Sequence, residues 1–156
     1  MNNNEGKFLL QNIIDTPVSA TANIKGKANS DYEKIIGTVD FYQMNNGTIV
    51  VAVIHNLPQT ASNFFAFHIH ENGECTGDFS SAGGHLGEGN HPCHIGDLPL
   101  IIANNGEAFS VFFDNRFDVE EAVDKSIIIH TQPDDYASQP AGNSGERIAC
   151  GVILKR

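Results

Sequence analysis

No stretch of this chain approaches the ~18 consecutive apolar residues of a membrane-spanning helix. Internal repeats and low-complexity segments are absent too, which leaves a single unrepeated domain as the expectation. Basic residues are scarce: 9 Lys and Arg face 19 Asp and Glu, for a net charge of −10. That balance argues against nucleic acid and anionic membranes as partners. A leader is hard to find. Residues 1–17, MNNNEGKFLLQNIIDTP, hold one lysine and a short apolar patch broken by Gln11 and Asn12, a poor signal peptide. The expectation is a cytoplasmic protein, or one whose numbering omits a leader. Cysteine is rare and odd in number: Cys75, Cys93 and Cys150 leave at least one unpaired or otherwise used. No convincing helical pattern occurs.

What the chain does contain is 156 residues, 40% hydrophobic and 18% charged, enough to bury a core. Residues 1–17 read as a loose arm and residues 18–156 as the domain. Ala20, Ala22 and Ile24 alternate with polar residues at the half-buried strand period. Ile35, Val39 and Phe41 share a face, and Asn46-Gly47 signals a hairpin into the β-branched run 48–54. Further strands are expected at 64–70, 98–103, 107–113, 126–131 and 147–154, with a second hairpin at Asn105-Gly106. Phe109, Val111 and Phe113 lie on one side of their strand. The phenylalanines at 64, 65, 67, 109, 112 and 113 read as core, or as a subunit interface of a possible homodimer. About eight short strands without helices predict an all-β, single-domain antiparallel barrel or sandwich. Two long loops, about 71–97 and 132–146, are atypical of a compact domain, and loops of that kind are usually functional or disordered.

Five of the seven histidines fall in residues 64–97. His68 and His70 are one residue apart on a strand, so both rings point to one face, roughly 7 Å apart at the backbone. That suits two imidazoles on one metal; alone, the pair could equally be polar residues on a solvated face. His85, His91, His94 and Asp97 follow in a glycine-rich loop, a donor set suited to tetrahedral zinc. Cys93 lies between two of these residues, and zinc accepts thiolate, so Cys93 is an alternative to His91. His130 ends a run of three isoleucines and reads as a satisfied core histidine or a further ligand. His55 lies outside every motif and is expected to be structural.

FHIHENGEC (67–75), AGGHL (82–86), HIGDLP (94–99), IIIH (127–130) and GERIACGVI (145–153) together resemble the copper/zinc superoxide dismutases, in their bacterial form. The resemblance runs from about Ala20 to the C-terminus. It implies an eight-stranded Greek-key barrel with two functional loops. It also implies dismutation of superoxide to oxygen and hydrogen peroxide by copper redox cycling, with a structural zinc. Copper is expected on His68, His70, His85 and His130; zinc on His85, His91, His94 and Asp97, with His85 shared as an imidazolate. Asp134 matches an aspartate that hydrogen-bonds one ligand of each metal. Arg147 matches an arginine that attracts and orients the anion, catalytic together with His85. Cys75 and Cys150 match a disulfide, which leaves Cys93 as a free thiol, an intermolecular link or a zinc ligand.

The chain also departs from that pattern. The spacing from His85 to His91 is short. The loop 132–146 has no lysine or arginine, whereas relatives often carry cations there that steer superoxide, for which these enzymes are the standard example. A modest on-rate is the expectation. From another class, the alternative is a non-catalytic zinc- or copper-binding relative of the same fold; a copper-delivery protein is a third. All four copper-side histidines and Arg147 are present, which favours the enzyme.

Overall fold

A computed structural model describes residues 15–156. The expected arm at residues 1–17 therefore lies, but for its last three residues, outside the described residues. The strands are β1 (Ala20–Gly26), β2 (Ile36–Met44), β3 (Gly47–His55), β4 (Phe64–Phe65), β5 (Phe67–His70), β6 (Ile101–Asn104), β7 (Glu107–Asp114), β8 (Ser126–His130) and β9 (Arg147–Lys155). They form one antiparallel sheet in the order β4-β6-β7-β3-β2-β1-β9-β8-β5.

The sheet is nearly closed, and one stretch closes it. Phe64 and Phe65 pair with β6, while Phe67 to His70 pair with β8. Between them Ala66 donates its N–H to Gln132 O and accepts from His130 N–H. The strand expected at 64–70 is thus split in two because its halves serve opposite edges of the sheet. This split accounts for nine strands where about eight were expected.

Alternation fills the interior. Ala20, Ala22, Ile24, Val39, Phe41, Val50, Ala52, Ile54, Phe65, Phe67 and Ile69 are all buried in one core cluster. Phe109, Val111 and Phe113 do share a side, but it is the outer one: they are 73%, 47% and 54% exposed. The ladder with β3 explains this. Buried Val50, Ala52 and Ile54 face Phe112, Ser110 and Ala108, so this alternate set of β7 turns inward and Phe109, Val111 and Phe113 turn outward. Of the six phenylalanines expected in core or interface, Phe65 and Phe67 are fully buried and Phe112 packs against the core. Phe64 is 37% exposed.

The turns differ slightly from expectation. Met44 pairs with Gly47, so the first hairpin turns on Asn45-Asn46 and Gly47 opens β3. Gly47 has φ +141°, and a Cβ there would lie 2.4 Å from Asp114 O. The second turn is Asn105-Gly106 as expected, with φ of 51° and 82°, the primed-turn geometry that matches strand twist. The strand expected at 98–103 begins at Ile101. One helical turn, Val119–Ala122, lies between β7 and β8, opened by an Asp118/Glu121 capping box.

Because Phe67 and Ile69 point inward, His68 and His70 point to the outer face. Both long loops fold over that face. The first docks on the free edge of β5: Leu86 N–H donates to Ile69 O (2.8 Å) and Ile69 N–H to Gly96 O (2.9 Å). A Cβ on Gly96 would lie 2.2 Å from Ile69 O, so glycine is what permits this approach.

Candidate metal centre

The histidines converge beneath the two loops. His68, His70, His85 and His130 bring one ligand atom each within 4.8 Å of one another, and so do His85, His91, His94 and Asp97. His85 belongs to both groups. These are the residues expected from the sequence. His130 reaches the group although it follows three isoleucines: Ile127 and Ile129 fill the core, so alternation turns His130 to the face of His68, and a register shift after Ile129 sets it opposite Arg147. Cys93 is exposed and belongs to neither group, whereas His91 lies in the group with His85, His94 and Asp97. His55 sits away from both groups and contacts Glu107.

His68, His70, His85, His91 and His130 are each held by one ring nitrogen and offer the other, whereas His94 has partners at both, Asp97 and Gly89 O. His68 Nε2–H donates to Asp134 Oδ2 at 2.7 Å, and His91 Nε2–H donates to Asp134 Oδ1 at 2.8 Å. One buried carboxylate thus orients a ring from each group. His70 Nδ1–H donates to Gly83 O (3.0 Å) and His130 Nδ1–H points at Gly145 O (3.4 Å). The opposite nitrogens, His68 Nδ1, His70 Nε2, His85 Nε2 and His130 Nε2, are buried without a hydrogen-bond partner, and so is His91 Nδ1. Buried polar atoms are rarely left so. Five of them clustered together fit metal cations. On the zinc side, the Nδ1 atoms of His85, His91 and His94 lie 2.6, 3.1 and 3.0 Å from the Asp97 oxygens. Three imidazoles and a carboxylate suit zinc, and four imidazoles suit copper.

Burial tunes the protonation of the group. Desolvation pushes His70 down to about 2 and His130 to about 3, both from 6.5. His68 is lowered as well, because desolvation outweighs its bond to Asp134. Desolvation would raise Asp97, but the His85 hydrogen bond and the charges of His85, His91 and His94 outweigh it and the pKa falls. His70 and His130 are therefore neutral at pH 7, with lone pairs free. This has a consequence for stability. Between about pH 3 and 6.5 the unfolded chain binds protons at His70 and His130 that the folded, metal-free chain does not. Their contribution is present above 6.5 and lost as pH falls through that window. The urea midpoint of metal-free protein is expected to drop between pH 7.5 and pH 5. A flat midpoint would show that these rings protonate without unfolding.

Above the copper-side group opens a cleft of about 720 Å³, bordered by His70, His85, His130, Gln139, Asn143 and Arg147 among others. Arg147 is the one cation among those lining residues. Its Nη1 donates to Phe79 O (2.6 Å) and its Nη2 to Gly83 O (2.7 Å). Gly83 O thus joins Arg147 to His70. Cys75 and Cys150 form a disulfide that ties this loop to β9, three residues beyond Arg147. Two positioning contacts were not foreseen from the sequence. Gln139 brackets the His91 backbone, accepting from its N–H (3.1 Å) and donating to its carbonyl (2.6 Å). Tyr136 Oη accepts from Leu100 N–H at 3.1 Å. Both tie one long loop to the other through backbone groups, for which side-chain spacing gives no signal.

Fold and site together define a β-barrel protein with two adjoining metal-ligand groups that share a histidine. The chain belongs to the copper/zinc superoxide dismutase family: residues 35–153 match the family model described as copper/zinc superoxide dismutase (SODC). Two Cu-Zn superoxide dismutases of Aquifex aeolicus are similar to it. One is 38% identical over 143 residues, covering 80% of this chain and 83% of the relative. The other is 36% identical over 141 residues, covering 77% and 80%. A solved structure of a superoxide dismutase-like protein from Bacillus subtilis superposes with a TM-score of 0.74 at 29% identity, over 86% of this chain and 97% of that one.

Proposed function

We propose that the chain is a superoxide dismutase that uses copper on His68, His70, His85 and His130 and a structural zinc on His85, His91, His94 and Asp97. The observation that carries the reading is the set of four buried, unpartnered ring nitrogens on the copper side, beneath a cleft that Arg147 lines. Copper bound there would supply one-electron redox chemistry, taking an electron from one superoxide and giving one to the next. The protein's own residues do the rest. His85 offers Nε2 to the copper side and Nδ1 to the zinc side, and Nε2 is the atom placed to gain and release a proton during turnover. Asp134 fixes His68 and His91, so the two groups keep their spacing. Arg147 keeps a fixed positive charge at the cleft wall and orients the anion there. The test is superoxide decay by protein loaded with zinc and copper against protein loaded with zinc alone. Fast copper-dependent decay supports the enzyme; equal decay with copper demonstrably bound refutes it.

The second reading is a non-catalytic zinc- or copper-binding relative of the same fold; the Bacillus subtilis structure is described as superoxide dismutase-like. In this chain all four copper-side positions are natively histidine, which favours catalysis.

Encounter with superoxide should be only weakly steered. Arg147 stands alone as a cation in the cleft lining, and the net charge is −10. Nearby Glu146 is paired to Lys27 at 2.5 Å. The expected second-order rate is modest and changes little with salt. A steep fall on raising ionic strength would reveal a positive funnel. Asn143→Lys, which adds a cation to the cleft lining, is expected to raise the rate at low salt by several-fold and to introduce salt dependence.

A further inference from the structure

We propose that Arg116 is a positioning residue for the zinc group, holding the turn from His94 to Asp97 in the geometry that lets both side chains reach one metal. The proposal rests on the zinc assignment above.

Arg116 lies two residues beyond the end of β7. Its Nη1 donates to His94 O (3.1 Å) and its Nη2 to Asp97 O (2.8 Å). These carbonyls belong to two of the four zinc-side residues. The turn between them is closed by Asp97 N–H donating to His94 O (3.1 Å) and by His94 N–H donating to Asp97 Oδ2 (3.0 Å). The guanidinium grips the two ends of the turn while the Asp97 carboxylate collects the imidazoles. Arg116 is itself anchored. Its Nε and Nη2 donate to Asp114 at 3.0 and 2.6 Å, and Asp114 is buried at the end of β7. The path runs from barrel strand to Asp114, to Arg116, to the two carbonyls. Gly96 pins the middle of the turn to β5, and Arg116 pins its ends to β7. A planar fork with fixed donor directions can hold two carbonyls at a set separation, whereas a lysine ammonium cannot.

The sign of the effect separates positioning from simple charge. Arg116 is a cation beside a site for a dication, so by Coulomb's law alone its removal would tighten zinc binding. Positioning predicts the reverse. The experiment titrates zinc into metal-free full-length protein against a chromophoric chelator, for the parent chain, Arg116→Lys and Arg116→Gln. Cobalt(II) in place of zinc reports ligand geometry through its visible spectrum. Both variants are expected to bind zinc roughly 10- to 100-fold more weakly. Their cobalt spectra should shift in position and lose intensity. Asp114→Glu, which keeps the charge but displaces the anchor of Arg116, should weaken zinc in the same direction by less, and it carries the test if the Arg116 variants fail to fold. Tighter zinc in Arg116→Gln overturns the proposal in favour of charge. A lower urea midpoint with unchanged zinc affinity and cobalt spectrum overturns it in favour of a structural strap alone. A parent chain that binds no zinc overturns the zinc assignment itself, a result seen before any variant is compared.

Discussion

Alanine in place of His130 is expected to remove copper-dependent superoxide decay and leave only the rate of zinc-loaded protein. His130 belongs to the copper-side group and not to the zinc-side group, so the substitution takes one of four imidazoles from one metal alone. The fold should tolerate it. The backbone of β8 keeps its ladder to β5 and β9, and the lost side-chain hydrogen bond, to Gly145 O at 3.4 Å, is a long one. Copper left with three histidines at an open, widened site would bind less tightly and cycle less well. A fall of more than about a hundredfold is expected, equivalent to ~2.7 kcal/mol on the barrier. His94→Ala is the matching control, because His94 belongs to the zinc side only. It should cost zinc affinity first and copper-dependent decay less. If His130→Ala kept the parental rate with copper bound, the redox centre would have to lie elsewhere.

The centre was legible in the sequence to different depths, and the reasons are physical. His68 and His70 could be read directly, since a strand's two-residue period sends both to one face. The zinc-side residues could be read from density and spacing, though the choice between His91 and Cys93 needed the loop's path. In the structure His91 is buried beside Asp134 and Cys93 is exposed. His130 could be read only as a core histidine or a further ligand, and Asp134 and Arg147, isolated in sequence, were reached only through family resemblance. A local bulge and long-range contacts bring them to the site. Arg116 escaped notice because it acts on backbone carbonyls about twenty residues away, and every residue type has a carbonyl. The outward turn of Phe109, Val111 and Phe113 was likewise not legible. Both faces of β7 carry apolar residues, so alternation alone gives the period and not the direction.

Breaking the Cys75–Cys150 bond is expected to be the most costly change to stability and to damage the cleft as well. The bond closes a loop across a sequence separation of 75. Chain-entropy estimates for a loop of that size give about 4 kcal/mol. Cys150 is also buried with Phe79, Ala82 and Ile128, so its removal would add a packing loss. Cys75 is only partly buried, which makes Cys75→Ser the cleaner substitution. The bond also holds the segment that presents Phe79 O and Gly83 O to Arg147 and Gly83 O to His70. Cutting the tether should therefore let Arg147 and one copper-side ring lose their shared anchor. In Cys75→Ser the urea midpoint of metal-loaded protein should fall by the equivalent of about 3–4 kcal/mol. Copper-dependent decay should fall beyond what the folded fraction explains. Reduction of the parent chain should reproduce both effects, with reoxidation restoring them. A stability loss under about 1 kcal/mol would mean that the unfolded chain is already compact across this span, so that the bond removes little freedom. Full activity per folded molecule would mean that the loop holds Arg147 without the tether.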